Sequence, residues 1–295
     1  MFNRFSFCSA VVGFSALVGL CACGVPSEQP RLAEGETPER VLSLSPGITE
    51  VIFEIGAGEL LVGRTQFTTH PEAALGLPSV GPGLTPDYEA LVRLAPDLIV
   101  SAQVQSLNAE EIGSLAPVEV YPWLSFEEIV GSIQRLGQTL GQADAAALVA
   151  GRMQAVLDTP RDPDAPTLLL VLGQPTESTP TLWFSREASL HGTVLEAAGF
   201  RNAMAEGRHD TPTLPIEALL SVDPDVVVVL IAEDELSTEA QAEYQAFWSR
   251  FTTLKAVQNE RVYFLAGSGY FSTGPRILTL LPALQDILRQ AGTPS

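Results

Sequence analysis

Apolar and polar positions alternate along the chain in short blocks, and the period changes from block to block. Short runs rich in β-branched and aliphatic residues read as buried strands: Val41–Leu44, Leu98–Val100, Val118–Tyr121, Leu168–Leu172, Val226–Ile231 and Val262–Leu265. Between them, apolar residues recur at three- and four-residue intervals, which predicts helices over Thr49–Ile55, Tyr88–Leu94, Phe126–Leu140, Ala143–Leu157, Thr193–Ala198, Ile216–Leu220 and Arg276–Gln290. Alternation of strand and helix predicts an α/β protein with mostly parallel sheets.

A self-comparison divides the chain. Glu89-Ala-Leu-Val-Arg-Leu-Ala-Pro-Asp-Leu-Ile-Val100 aligns without a gap on Glu217-Ala-Leu-Leu-Ser-Val-Asp-Pro-Asp-Val-Val-Val228, 128 residues later (217 against 89). Each copy reads as a short helix stopped by a Pro-Asp turn and followed by a buried strand, because proline lacks an N–H and restricts the residue before it. A strand-loop-helix unit precedes both copies, so two similar lobes are expected at 40–125 and 166–295. The segment 126–165 between them is helical in register, with a break near 137–142 at Gly137 and Gly141 and a Pro-rich stop at 159–166. Two lobes joined by one long helix leave a cleft, where ligands prefer to sit.

The N-terminus carries an address. Arg4 precedes an apolar run from Phe5 to Leu20, which is too short for a spanning helix and lacks a basic stop-transfer flank. Leu20-Cys21-Ala22-Cys23 resembles the bacterial lipobox, which makes Cys23 the lipidated residue; Cys21 is the weaker alternative, and an ordinary secretory signal is the other reading. Residues 1–23 are thus expected to be a lipoprotein signal and 24–39, polar and rich in Pro and Glu, a flexible tether. The expectation is an exported domain, anchored by lipid at the periplasmic or outer face of a bacterial membrane.

Composition narrows the chemistry. The chain has 295 residues, 46% of them hydrophobic, with 16 basic against 35 acidic residues and a net charge of −19. Such an acidic surface repels phosphate backbones and disfavours nucleic-acid binding. All three cysteines lie in the first 23 residues, so the body has no disulfide framework, no cysteine-zinc site and no thiol nucleophile. No GxSxG, HExxH, P-loop or strand-linked GxGxxG occurs, and the three histidines (70, 191, 209) lack zinc-site spacing. An enzyme is therefore disfavoured, and no intrinsic cofactor is expected.

The segments RVLSLSPGITEVIFEIGAGELLVGRTQF (40–67) and LPSVGPGLTPDYEALVRLAPDLIV (77–100), with the second-lobe copy and the late Gly-Pro-Arg at 274–276, resemble the iron-chelate and cobalamin periplasmic-binding family. The resemblance implies the class III periplasmic-binding fold, two Rossmann-like lobes joined by one long rigid helix. It also implies a monomeric substrate-binding lipoprotein that passes a metal chelate (ferric siderophore, heme or cobalamin) to an ABC permease and its ATPase. In that family an acidic residue on each lobe docks on permease arginines, and the matching positions are Glu89 and Glu217. Contacts with ligand come from cleft loops, where the candidates are Phe67, His70, Tyr121, Trp123, Trp183, Phe184, Tyr270 and Phe271, with Arg64, Arg186 and Arg208 as anion grips. His209 and Tyr270 fall where some relatives complete the shell of an iron catecholate. An exported lipoprotein that scavenges a ligand without a permease is the alternative function.

Overall fold

A computed structural model describes residues 36–102, 109–175, 181–204 and 212–292. Cys23, the signal segment 1–23, most of the tether, Arg208 and His209 lie outside the described residues.

Each lobe is built on a four-stranded parallel sheet. The first contains β1 (Val41–Ser43), β2 (Leu61–Gly63), β3 (Leu98–Ser101) and β4 (Val118–Val120) in the order β2-β1-β3-β4. In the second lobe β5 (Thr167–Leu172), β7 (Arg201–Asn202), β9 (Val226–Ile231) and β10 (Val262–Ala266) are ordered β7-β5-β9-β10. Taken in chain order, both sheets read second, first, third, fourth, so the lobes share one topology. Among the described residues, a two-stranded antiparallel pair, β6 (Thr181–Trp183) with β8 (Thr213–Pro215), is found only in the second lobe. β2 and β7, at two or three residues, are too short to impose a period on the sequence, and β6 finds its partner only about thirty residues downstream.

The duplication extends to atomic detail. Ala95 and Asp223 end equivalent helical turns in the left-handed conformation (φ 44, ψ 58 and φ 43, ψ 59), and their N–H groups donate to Leu91 and Leu219. Two residues on, Asp97 and Asp225 accept the backbone N–H of Arg40 (3.0 Å), just ahead of β1, and of Thr167 (2.9 Å), the first residue of β5. A Pro-Asp turn thus does the same work twice: proline stops the helix and the carboxylate ties the turn to the neighbouring strand's start.

Between the lobes run two helices, Phe126–Thr139 and Ala143–Leu157, separated at Leu140-Gly141-Gln142. Gly141 has φ 69, a region glycine enters without strain. Ser125 and Glu128 form a reciprocal capping box at the start of the first helix. The two helices approach closely at Gly137, where a Cβ would lie 2.1 Å from that of Ala146.

The strand residues sort by alternation into opposite faces. Val41, Leu98, Val100, Leu168, Leu170, Val226, Val228 and Leu230 all belong to one continuous core that also takes in Ile129, Ile133, Leu136, Val149, Met153 and Leu284. Leu42 and Ile99 face a separate cluster in the first lobe, and Leu169, Val171, Val227 and Val229 face one around Trp248 in the second. The core that packs the connecting helices therefore reaches both sheets, which makes the joint stiff, since close-packed interiors resist deformation.

Candidate functional site

All strands of a parallel sheet end on the same edge, so the loops leaving their C-terminal ends gather there. In this chain the loops after β1 and β2 meet the loops after β9 and β10. They enclose a cavity of about 850 Å³ with Phe67, His70 and Glu72 on the first lobe and Asp234, Phe271 and Arg276 on the second. A second cavity of about 690 Å³ adjoins it toward the connecting helices, lined by Phe53, Glu54, Pro71, Arg152 and Leu278. Glu50, His70 and Arg276 line both.

The partition between the cavities is a polar junction of the two lobes. Glu50 lies on the helix Pro46–Glu54, with Ser45 ahead of it in extended backbone and Pro46 preset for the first turn. Its carboxylate accepts the Ser272 hydroxyl at 2.6 Å and stands 3.5 Å from Arg276. Beside it, the Trp123 indole N–H donates to the Thr273 carbonyl at 2.6 Å. Gly47 and Gly274 permit this contact: a Cβ on Gly47 would fall 2.8 Å from Thr273 Oγ1 and 3.0 Å from its carbonyl oxygen. The Ser-Pro-Gly-Ile-Thr-Glu and Gly-Pro-Arg segments, more than two hundred residues apart in sequence, therefore face one another across the joint. Arg276 also carries a buried Nε–H with no acceptor.

The sequence candidates distribute unevenly. Phe67, 61% exposed, His70 and Phe271 line the main cavity. Tyr270 is half-buried beside it, and its carbonyl accepts the His191 Nε2–H at 2.7 Å, tying the cavity loop to the start of helix Leu190–Ala197. Burial lowers the His191 pKa, outweighing that hydrogen bond, so the ring stays neutral. Trp183, 53% exposed, ends β6 opposite Thr213. Arg186 is exposed. Arg64 is turned to the carbonyls of Thr65 (3.0 Å), Thr68 and Leu75.

Tyr121, Trp123 and Phe184 are buried and make core contacts. The Tyr121 hydroxyl donates to Glu119 at 2.5 Å, the Arg135 guanidinium sits 4.2 Å from the ring centroid, and burial followed by the Glu119 bond pushes the phenol pKa far up. Sequence reading missed Glu50, Glu72, Asp234 and Ser272. The Ser-Pro-x-x-Thr-Glu and Gly-Pro-Arg strings were visible, but no periodicity could bring them together.

On each lobe the repeat presents an exposed pair. Glu89 stands in the first turn of helix Tyr88–Leu94, capped by Asp87, and lies 3.6 Å from Arg93; Glu217 occupies the short helix Ile216–Ala218. Three residues after each acid an aliphatic side chain is left in solvent, Val92 at 60% and Leu220 at 50% exposure. Among the described residues no group of three or more His, Cys, Asp or Glu is arranged to hold a metal ion. The described helices include none long and apolar enough to cross a membrane.

A model of the periplasmic binding protein family matches residues 41–268. The cobalamin-binding protein of Halobacterium salinarum is 28% identical over 240 residues, covering 75% of this chain and 63% of that protein, so the chain spans less than two thirds of this relative's length. The vitamin B12-binding protein of Yersinia pestis is 25% identical over 267 residues, covering 88% of this chain and 89% of the relative. Among solved structures, the periplasmic heme-binding protein BhuT in complex with two hemes superposes with a TM-score of 0.66 at 26% identity, over 86% of this chain and 100% of that one. The vitamin B12-binding protein BtuF of Vibrio cholerae gives 0.65 at 22% identity, over 87% and 99%, a likeness of fold. With two parallel-sheet lobes, a stiff helical joint and a cavity between the lobes, this chain belongs to the periplasmic binding protein family.

Proposed function

We propose that the chain is the substrate-binding component of an ABC importer, taking up a metal chelate (a corrinoid, a heme or a ferric siderophore) between its lobes and handing it to a permease. The observation that carries this reading is the cavity of about 850 Å³ walled by both lobes, a size suited to a compact organic ligand. Cobalamin- and heme-binding relatives supply the chelate class. Phe67 and Phe271 offer aromatic faces to a macrocycle, and His70 brings an imidazole, a type of metal ligand, to the cavity wall. Trp183, Arg186, Arg208, His209 and Tyr270 complete the set of contacts in this proposal. Cys23 holds the chain at the membrane by lipid and 24–39 is the tether; the lobes span 40–125 and 166–295, with 126–165 as the joint.

Docking on the permease is assigned to Glu89 and Glu217. Two exposed carboxylates at equivalent places on two like lobes suit a partner with two equivalent basic sites. In both repeat copies the alanine and leucine serve packing and the Pro-Asp serves the turn, whereas the glutamates, Glu89 with only an exposed ion pair to Arg93, and the exposed Val92 and Leu220 take no part in the core.

Titration of tryptophan fluorescence with cobalamin, hemin, a ferric catecholate and a ferric hydroxamate tests the cargo. Saturable sub-micromolar quenching by one class is the expected result, and quenching by none refutes the metal-chelate reading. For docking, Glu89→Arg with Glu217→Arg abolishes cellular uptake while leaving ligand affinity unchanged. Uptake that survives both reversals points instead to a scavenging lipoprotein without a permease.

A further inference from the structure

We infer that the cleft selects a chelate that is neutral or positively charged overall and rejects polyanionic ones, an inference that rests on the interlobe cavity being the cargo site. Among the described residues, the cavity lining carries three carboxylates, Glu50, Glu72 and Asp234, against a single guanidinium, Arg276. That guanidinium is matched in charge by Glu50, 3.5 Å away and itself held by the Ser272 hydroxyl, and it also favours the charged form of Asp234, although its buried Nε–H has no acceptor. Glu72 and Asp234 are exposed, one on each lobe, so both walls are negative and neither charge is neutralised by an ion pair across the cleft.

Asp234 is also fixed in its charged form. Its carboxylate accepts the Ser268 N–H at 2.8 Å, and this bond, with that of the Ser268 side chain, holds its pKa below the usual aspartate range. Two further described cations are already engaged, while the exposed Arg186 is not part of either cavity's lining. Arg64 is committed to three backbone carbonyls, and in the adjoining cavity Arg152 is paired with Glu54. The net charge of −19 adds a repulsive field for any approaching anion.

A polyanion entering this cleft must bring like charges toward unpaired carboxylates in a partly dewatered space, where Coulomb terms exceed those in bulk water. A cation or a neutral chelate meets no such cost, and Phe67 and Phe271 still supply apolar faces. Amide-bearing corrinoids and ferric trihydroxamates meet the requirement; tris-catecholates and porphyrins with free carboxylates do not.

The test uses probes of like shape and unlike charge. Hemin is compared with hemin dimethyl ester, ferric enterobactin with ferrioxamine B, and aquocobalamin is titrated beside them at low and at near-physiological salt. In each pair that binds, the neutral or cationic member is expected to bind at least about tenfold tighter at low salt, with the gap shrinking as salt screens it. The double variant Glu72→Gln, Asp234→Asn is expected to narrow the gap severalfold with at most a small fall in melting temperature, since the amide oxygen introduced by Asp234→Asn still accepts from Ser268, though less strongly than the carboxylate. Equal or tighter binding of hemin or ferric enterobactin overturns the inference, as does a gap that the double variant leaves untouched. Failure of every probe to bind removes the metal-chelate reading itself, a result distinct from binding with the wrong charge preference.

Discussion

Ala95 and Asp223 occupy the same left-handed turn in the two lobes, yet replacing each by glycine is expected to have different consequences. A left-handed L-residue costs roughly 1–2 kcal/mol relative to glycine, whose backbone enters this region freely. Against that gain, glycine loosens the unfolded chain by about 0.4–1 kcal/mol. Ala95 is exposed, and its carbonyl, which accepts Arg40 Nε–H at 3.1 Å, survives the change. Ala95→Gly should therefore stabilise the protein by about 0.5–1 kcal/mol, raising the melting temperature by about 2 °C. Asp223 has the same strain but also accepts the Lys255 N–H at 2.9 Å and lies 3.3 Å from the Lys255 ammonium. Losing that hydrogen bond costs about 0.5–1.5 kcal/mol. The ion pair, half-exposed, adds only a few tenths at most, ~0.3 kcal/mol. Asp223→Gly should thus come out near neutral or slightly destabilising. Urea unfolding followed by circular dichroism measures both variants. Destabilisation by Ala95→Gly, or equal stabilisation by the two, would refute the equivalence of the turns and the role given to the Asp223 side chain.

Other perturbations probe the joint and the pH response. Trp123→Phe removes the donor to the Thr273 carbonyl between the lobes and should destabilise by about 2–3 kcal/mol, read from the urea midpoint; an unchanged midpoint sinks the bond's assigned role. Gly47→Ala drives a methyl into Thr273 and should cost about 1–3 kcal/mol, with weaker cargo binding if the junction sets the spacing of the lobes. For Asp225, burial raises the pKa, but the N–H and hydroxyl of Thr167, aided by Lys255 and Arg201, outweigh it and hold the carboxyl below its ordinary value. A depressed carboxylate contributes stability above its unfolded pKa and loses it as pH falls through the folded one. Asp225→Asn should accordingly be less stable than the native chain at neutral pH, with the difference closing in strong acid; a difference independent of pH contradicts this. His191 has the opposite chemistry but the same direction. Its neutral ring is favoured by burial, so stability should fall below about pH 6.5 as the unfolded histidine gains its proton, and His191→Gln should flatten that slope.

Much of the architecture is legible in the sequence because it rests on local and periodic terms. The inner strands β1, β3, β5 and β9 appear as runs dominated by Val, Leu and Ile, since inner strands of parallel sheets are buried on both faces, and the half-buried edge strands β4 and β10 show mixed apolar runs. The 128-residue repeat announces the two lobes, and the turns at Ala95 and Asp223 show that the likeness is one of backbone geometry. The connecting segment breaks where Gly141 allows a positive φ, so it forms two packed helices.

The site is another matter. Phe67, His70 and Phe271 reach the cavity, while Tyr121, Trp123 and Phe184, aromatic residues following strands in the same way, are buried. An aromatic side chain satisfies a core and a binding wall equally well, and only the path of the chain decides which it meets. The junction of Glu50 with Ser272 and Arg276 joins positions more than two hundred residues apart. Sequence by itself determined most of the long elements, the duplication and the net acidity, because propensity, periodicity and composition are local properties. Tertiary structure alone decided which loops share the cleft, which cations are already paired, and hence what charge the cavity presents, because those depend on distances between residues remote in the chain.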